Sequence, residues 1–278
     1  MRHVLLHGHI FKNAGTTLDW SLRRCFGDGF CEHRVDRDMR LEPTRTLAGA
    51  LEDERIVSLS SHSLPSPLPA LPGLSLHPLY LLRHPIERLR SVYAFERRQE
   101  AQTPGARAAK AMGFREYVAW RMRDDVGPTI RNFQTRYLAG QFAYKPGAAV
   151  FSAVFDSALD YLKQTGNVGI VELYDESMVV FEAALSPVFP SIDLAHVPQN
   201  VSARGESEVP TVYEELGPLC GEVINRNSYD LALYSYARET LQRRLSELPD
   251  FADRLAQLRE RNSALFAGFA ASQSEAKC

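Results

Sequence analysis

Short apolar runs alternate with stretches of helical spacing along most of the chain. The run from Val4 to His7 is apolar and ends at Gly8, a pattern that favours a buried strand. Apolar residues then recur at helical spacing over 18–25, where we expect a helix with Thr16 or Thr17 as its N-cap. The sequence therefore predicts a strand, a loop and a helix at its start.

A second unit of the same kind follows. Leu76 to Leu82 is another apolar run, and Pro85 suits the first turn of a helix because that position needs no backbone N–H. An earlier strand is predicted over 55–60, and four prolines within 63–73 predict a structured loop between the two strands.

The rest of the chain is predicted to be mostly helical. The segments 27–45 and 186–210 are expected to be loops, and 167–173 is predicted to be a further buried strand. Further helices are expected over 47–51, 113–124, 129–139, 151–164, 176–185, 212–226, 228–245 and 251–271. Strands that alternate with helices predict an α/β fold with a central, mostly parallel sheet flanked by helices and a helical C-terminal part.

Composition and charge narrow the classes of function. Of the 278 residues 45% are hydrophobic and 24% are charged, as in ordinary globular proteins. The net charge of −2 argues against a nucleic-acid binder, because such proteins usually carry a basic excess. The opening apolar run is too short for a secretion signal, and no stretch is long enough to span a membrane. We expect one cytoplasmic domain over 1–278, with a core at about 3–245 and a helical extension at about 250–271.

The cysteines indicate neither a metal site nor a disulfide framework. Cys25, Cys31, Cys220 and Cys278 show no C-x-x-C spacing and have no paired histidines to complete a zinc site. The spacing of Cys25 and Cys31 is compatible with a disulfide, but a chain without an export signal favours free thiols. We therefore expect no metal.

The loop from Lys12 to Thr17 has the chemistry of a phosphate-binding loop. Small residues, Ala14 and Gly15, allow backbone N–H groups to close around an anion, and the following helix adds its positive N-terminal dipole. The hydroxyl groups of Thr16 and Thr17 can donate further hydrogen bonds, and Lys12 can neutralise charge in a transition state. The order differs from a Walker A loop, where lysine follows the glycines and a hydroxyl holds Mg²⁺. A tight strand–helix turn without a ligand is the alternative.

With its preceding residues, this loop resembles a signature of one enzyme family. His9 to Thr17 (H-I-F-K-N-A-G-T-T) is similar to the H-I-P-K-T-A-G-T-[TS] element of sulfotransferases related to the carbohydrate, heparan-type enzymes. Phe11 and Asn13 replace the usual proline and threonine. The resemblance implies a P-loop-like sulfotransferase fold whose loop, Lys12, Asn13, Ala14, Gly15, Thr16 and Thr17, binds the phosphosulfate of 3′-phosphoadenosine-5′-phosphosulfate (PAPS) without a metal, releasing 3′-phosphoadenosine-5′-phosphate (PAP).

A second element strengthens this resemblance. Leu81 to Ser91 (L-L-R-H-P-I-E-R-L-R-S) is similar to the family's L-R-D-P-[IV]-E-R-x-x-S element, with His84 in place of the aspartate. The resemblance implies that Arg83 and Ser91 bind the 3′-phosphate of the donor, and an arginine fork suits a phosphate dianion. A surface salt bridge of Arg83 and a helix contact of Ser91 are the alternatives. Weaker similarities at 132–140, 168–177 and 225–237 extend the match over about 3–245.

Sulfuryl transfer usually needs a base, and two histidines are candidates. His62 follows the strand predicted over 55–60, and open α/β sheets bind ligands at the carboxyl ends of their strands. It also matches a histidine of the family's G-H element that acts as base in related enzymes, although Ser61 replaces the glycine. The alternative is a loop histidine bonded to a backbone carbonyl. His9 is the second candidate, or only a support of the loop, and we expect His7 and His77 to be packed.

The acceptor side is the least defined part of the site. Asn132, Gln134 and Arg136 lie in a segment that resembles the family's N-x-Q-[TV]-R element, and residues 132 and 136 share a helix face that could orient a polar acceptor. An ordinary solvated helix face is the alternative. Some relatives close a late loop over the nucleotide, which implies Ser202 and Arg204, together with Asn200, as donor-binding residues.

We therefore predict an enzyme that transfers a sulfuryl group from PAPS to a hydroxyl group of a carbohydrate or polar metabolite. Lys12 is expected to stabilise the transition state, with His62 or His9 as base. A Mg²⁺-dependent nucleotide kinase or phosphotransferase and a non-catalytic nucleotide-binding protein are the alternatives. The oligomeric state stays open, because the helix at 251–271 could pack on a partner chain or on its own body.

Overall fold

Five strands form one all-parallel sheet in the computed structural model, which describes residues 1–141, 151–199 and 211–275. The strands are β1 Arg2–Gly8, β2 Phe30–His33, β3 Ser58–Ser61, β4 Leu74–Leu82 and β5 Val168–Ile170. The helices are α1 Gly15–Phe26, α2 Asp36–Leu41, α3 Pro43–Ala50, α4 Pro85–Arg98, α5 Pro104–Ala111, α6 Phe114–Met122, α7 Phe133–Leu138, α8 Phe151–Thr165, α9 Tyr174–Leu185, α10 Val212–Leu216, α11 Cys220–Arg226, α12 Ser228–Glu247 and α13 Phe251–Glu275. Short 3₁₀ turns occupy Gly27–Gly29, Val171–Leu173 and Gly217–Leu219. The predicted α/β class, with helices flanking a parallel sheet, is confirmed.

The strand order β2-β3-β1-β4-β5 places β1 at the centre of the sheet. Gly8, the last residue of β1, lies beside Ser61 of β3 on one side and Tyr80 of β4 on the other. Because all the strands are parallel, their carboxyl ends meet at one edge of the sheet. Residues that follow β1 and β3 are thereby neighbours, although about fifty positions separate them in sequence.

The chain forms two compact units. The first contains the sheet and consists of residues 1–82, 165–199 and 237–275; the second consists of 83–141, 151–164 and 211–236 and is helical. Within the described ranges, no helix combines the length and the apolar composition needed to cross a membrane.

The core of the first unit packs α1, α9 and α13 around β1 and β4. Leu5, Leu18 and Leu81 are fully buried in it, as is Leu258 of α13. Phe251, Leu255 and Leu265 of the same helix pack against this cluster. The C-terminal helix therefore packs on its own chain, which was one of the two arrangements that the sequence left open.

Buried polar networks hold the helices of the second unit. Arg121 of α6 donates to both carboxylate oxygens of Glu96 in α4, at 2.5 and 2.6 Å, and the Tyr117 hydroxyl donates to the same carboxylate. Asp230 of α12 accepts from the backbone N–H and the hydroxyl of Thr135, both at 2.7 Å. These bonds provide partners for charges that would otherwise be costly to bury.

The predicted loop over 27–45 is wrong. Strand β2 and helix α2 lie within it, and α3 begins there and ends at Ala50. These elements are short and present little apolar surface, since Met39 is the buried residue of α2 and Leu47 that of α3. One apolar anchor per element gives no periodicity that could be detected in the sequence. Helix α5 was missed as well, although Thr103 accepts a capping bond from the Ala106 N–H.

Several predicted boundaries also need correction. Neither Thr16 nor Thr17 caps α1, because the helix begins at Gly15 and its N-cap is Ala14 in the left-handed conformation. The helix expected over 212–226 is divided into α10 and α11 by the turn at Gly217, where φ is +54°. The helix expected over 129–139 is confined to α7, and the strand expected over 167–173 ends at Ile170.

Candidate functional site

Two histidines meet at the carboxyl edge of the sheet in the first unit. His9 follows β1 and His62 follows β3, and the His9 N–H continues the ladder between these strands by donating to the Ser61 carbonyl at 2.9 Å. Their ring centroids are 4.2 Å apart. The predicted position of His62 at a strand end is confirmed, and it is in contact with the other candidate base.

The loop between β1 and α1 has an unusual backbone. Lys12 and Ala14 both adopt positive φ, at +64° and +58°. Left-handed residues can turn successive N–H groups toward one side, the geometry of an anion-binding nest. The N–H groups of Ala14, Gly15 and Thr16 have no hydrogen-bond partner within the part of the chain that the structure describes. They lie at the start of α1, where the helix dipole favours negative charge.

Side chains of the loop connect it to the rest of the first unit. The amide of Asn13, 1% exposed, donates to the Leu81 carbonyl at the end of β4 at 2.8 Å. The buried Thr17 hydroxyl accepts from the Gln199 N–H at 3.1 Å. Asn13 and Thr17 thus fix the shape of the loop, whereas Thr16 is exposed and Lys12 is half-buried.

Asp19 is the centre of a buried network beneath the loop. It lies on the second turn of α1, and its two carboxylate oxygens accept from His7 Nδ1 at 2.6 Å and His9 Nδ1 at 2.7 Å. Arg34, which follows β2, donates to the same carboxylate at 2.8 Å and also binds Glu32. His7 and His9 reach one carboxylate because side chains two apart in a strand point to the same face.

The hydrogen bonds define the tautomers of these imidazoles. A carboxylate only accepts, so Nδ1 of His7 and of His9 each carries the proton. His62 Nδ1 lies 3.1 Å from the His9 carbonyl oxygen and likewise must donate. Nε2 is therefore the unprotonated nitrogen of each neutral ring. His62 thus makes the bond to a backbone carbonyl that was the alternative to a catalytic role, and its role as base stays a prediction.

Burial keeps the two site histidines neutral. Burial lowers the pKa of His9, and the hydrogen bond from His9 to Asp19 offsets only part of this effect. Burial also lowers the pKa of His62, and the neighbouring His9 and Arg34 lower it further. Burial alone would raise the pKa of Asp19, but the charges and hydrogen bonds of His7 and His9 outweigh it and hold that pKa well below its usual range. Asp19 is therefore an ionised carboxylate that accepts a hydrogen bond from each of the two imidazoles.

Gly15 allows His9 to approach the loop. A Cβ atom at position 15 would lie 2.2 Å from His9 Cδ2 and 2.4 Å from His9 Nε2. The Cδ2–Nε2 edge of the ring thus lies against the first residue of α1. The glycine of the loop is therefore required by the packing of the histidine.

His7, His9 and Asp19 are also the one group in the described ranges whose donor atoms are spaced closely enough for a metal ion, within 4.8 Å of one another. Both oxygens of Asp19 already accept imidazole N–H bonds, and the Arg34 guanidinium lies on the same carboxylate. A guanidinium there opposes a second cation, and hydrogen bonding accounts for the cluster.

The second unit holds the other predicted residues. The backbone N–H and carbonyl of Arg83 bond to Oε1 and Nε2 of Gln134, both at 2.9 Å, and the Gln134 side chain is fully buried. Ser91 is half-buried on α4. Gln134 thus orients the backbone that carries Arg83, and the roles of Arg83 and Ser91 toward a 3′-phosphate stay predictions.

The predicted acceptor residues have structural contacts. Asn132 has φ of +45°, and its side-chain oxygen accepts from the N–H groups of Tyr229 and Asp230 at 3.1 and 3.0 Å. The guanidinium of Arg136 lies over the Phe151 ring, 4.6 Å from its centroid. Their roles toward an acceptor stay predictions. Asn200, Ser202 and Arg204 lie outside the described residues.

No role was predicted for Asp19 or Arg34. Asp19 lies within a helix that is otherwise typical of a surface helix, and its partners come from two separate strands. A signal was present: an acid on the same face of the predicted helix as Leu22, combined with histidines at alternate positions of a buried strand.

Comparison with known proteins gives a relative without a described activity. The chain is 31% identical over 212 residues to an uncharacterized protein of Archaeoglobus fulgidus, covering 72% of this chain and 80% of the relative. No family model matches the chain.

Proposed function

The chain belongs to the same family as the Archaeoglobus fulgidus protein, and we propose that it is a sulfotransferase that uses PAPS as donor. The observation that carries this proposal is the loop from Lys12 to Thr17. Its N–H groups at the start of α1, which have no partner in the described part of the chain, lie beside the ring of His9, and the ring of His62 contacts that of His9. An anion site next to a base suits the transfer of a sulfuryl group.

In the proposed reaction, the loop N–H groups bind the 5′-phosphosulfate. The acceptor oxygen forms a bond to sulfur, and the bond between sulfur and the bridging phosphate oxygen breaks. The hydroxyl proton passes to a histidine Nε2, for which His62 is the first candidate, and the Lys12 ammonium neutralises charge on the departing PAP. Arg83 and Ser91 are proposed to bind the 3′-phosphate, as the resemblance implies. The proposed acceptor is a hydroxyl group of a carbohydrate or polar metabolite.

A calorimetric titration with PAP tests the donor directly, and we expect saturable binding in the presence of EDTA. Turnover is measured by transfer of labelled sulfate from PAPS to a panel of carbohydrate and small hydroxyl acceptors. Loss of transition-state charge stabilisation should lower kcat by about 10²–10³ in Lys12→Ala, and loss of the base by about 10²–10⁴ in His62→Gln. The matched control is Lys110→Ala, on the exposed surface of α5.

Three results would contradict this proposal. Absence of PAP binding refutes the donor assignment. Binding of ATP only in the presence of Mg²⁺, without PAP binding, identifies a nucleotide phosphotransferase instead. Unchanged turnover in both Lys12→Ala and His62→Gln refutes the mechanism even if PAP binds.

A further inference from the structure

His9 has one nitrogen that the buried network does not use. Its Nδ1 donates to Asp19, its side chain is 9% exposed, and its Nε2 has no hydrogen-bond partner in the described ranges of the chain. The Nε2 edge lies against Gly15, whose N–H is one of the unpartnered groups at the start of α1. This nitrogen of a largely buried side chain therefore lies at the place where the backbone can bind an anion.

We propose that His9 is a donor-binding residue that takes up a proton at Nε2 when the anion binds to the loop. This inference rests on the proposed function for the identity of the anion. A phosphosulfate oxygen would be repelled by the lone pair of a neutral Nε2. A proton taken from solvent converts Nε2 into a donor to the anion, and the Asp19 carboxylate at Nδ1 stabilises the resulting imidazolium.

The groups around His9 explain why the proton arrives with the ligand. The ring of His9 or its partner Asp19 interacts with His7 of β1, Arg34 after β2, His62 after β3 and Tyr174 of α9, and Glu32 of β2 binds Arg34. Burial and the positive groups lower the pKa of His9 in the free protein. A bound anion places a negative charge beside Nε2 and raises the pKa of His9. Donor binding therefore becomes tighter as the pH falls from the pKa of the complex toward that of the free protein.

Calorimetry measures this proton uptake. PAP is titrated into the protein near pH 7 in buffers of different ionisation enthalpy, and the dependence of the observed enthalpy on that property gives the number of protons bound. The phosphates of PAP, with second pKa values of about 6, can also exchange protons on binding. The contribution of His9 is therefore the difference between the wild-type protein and His9→Gln.

The variants separate the two histidines of the site. We expect greater proton uptake by the wild-type protein than by His9→Gln, and wild-type uptake in His62→Gln, the matched control. Asp19→Asn removes the carboxylate that stabilises the imidazolium, so its uptake should fall below that of the wild-type protein. Nitrogen NMR of the His9 ring is a second measurement, and it needs no variant because it is made on the wild-type protein. PAP should shift its Nε2 signal from that of an unprotonated to that of a protonated nitrogen.

The outcomes distinguish this inference from the function on which it rests. PAP binding with equal proton uptake in wild type and His9→Gln, or an unchanged Nε2 signal, refutes the role of His9 and leaves the sulfotransferase proposal standing. If PAP does not bind at all, both fail. Uptake that disappears in His62→Gln but persists in His9→Gln assigns the proton to His62 and also refutes the inference.

Discussion

The contact between Gly15 and His9 allows one prediction to be worked out in detail, for Gly15→Ala. The new methyl group would lie 2.2 Å from His9 Cδ2 and 2.4 Å from Nε2, far inside van der Waals contact. The His9 ring has little freedom to move, because Asp19 binds its Nδ1 and the ring of His62 lies 4.2 Å away, measured between centroids. Overpacking of this kind costs about 1–3 kcal/mol.

The usual effect of this substitution in a helix has the opposite sign. Replacing glycine by alanine where the backbone permits it stabilises a protein by about 0.4–1 kcal/mol, mainly through the entropy of the unfolded chain. The backbone of Gly15 is not left-handed, so it would accept alanine. The balance for Gly15→Ala is a net loss of about 1–2 kcal/mol. Gly49→Ala in α3, where no atom lies within 4 Å of the new methyl group, should instead be neutral or stabilising.

Urea unfolding of the two variants and the wild-type protein measures both effects. A double-mutant cycle with His9→Ala isolates the clash, because Gly15→Ala should cost little once the ring is absent. PAP affinity should fall in Gly15→Ala and stay unchanged in Gly49→Ala. If Gly15→Ala is as stable as Gly49→Ala, or if the cycle shows no coupling, then His9 does not lie against the loop as described.

Three further predictions concern stability. Leu258→Ala, at a fully buried site on α13, should lower the free energy of unfolding by about 2–5 kcal/mol, whereas Phe266→Ala, at a 61% exposed site on the same helix, should change it by less than about 0.5 kcal/mol. Equal effects in urea unfolding would mean that α13 does not pack on the core. Arg121→Ala leaves the buried Glu96 carboxylate without its cation and should cost about 3–5 kcal/mol by thermal unfolding, and a cost below about 1 kcal/mol would refute the network. The pKa of His62 is lower in the folded protein than its value of about 6.5 in the unfolded chain. The unfolded chain therefore binds this proton at a higher pH than the folded protein does, and the free energy of unfolding falls as the pH drops from about 7 to about 5. His62→Gln should lose less stability over that range, and identical pH profiles would contradict the lowered pKa.

The two strand–loop–helix segments were predictable because their apolar residues are dense and regular. Strand β1 is buried from Val4 to Gly8 and β4 from Pro78 to Leu82, and such continuous apolar runs are typical of central parallel strands. The same rule fails for β2, whose four residues include only one that is buried, Phe30. An edge strand of this kind depends on its neighbour for its structure, and sequence periodicity does not report that dependence.

Residues of the candidate site could be predicted only where a single segment of the sequence carries the whole motif. The resemblance of the loop identified Lys12 and Gly15, and a histidine after a strand identified His62. Asp19 could not be assigned in the same way, because its role depends on α1 packing back over β1 so that one carboxylate meets two alternate histidines. Tertiary packing of this type brings together residues whose separate local patterns are those of an ordinary helix and an ordinary strand.

The backbone strain of the chain supports the location of the site. Four non-glycine residues of the described part have positive φ, and two of them, Lys12 and Ala14, lie in the loop before α1. Such conformations cost of order 1–3 kcal/mol each and persist only where surrounding contacts impose them. The bonds from Asn13 to the Leu81 carbonyl and from Gln199 to Thr17 supply those contacts. A turn that only connected a strand to a helix would not need this geometry, whereas a site that must turn several N–H groups toward one anion does.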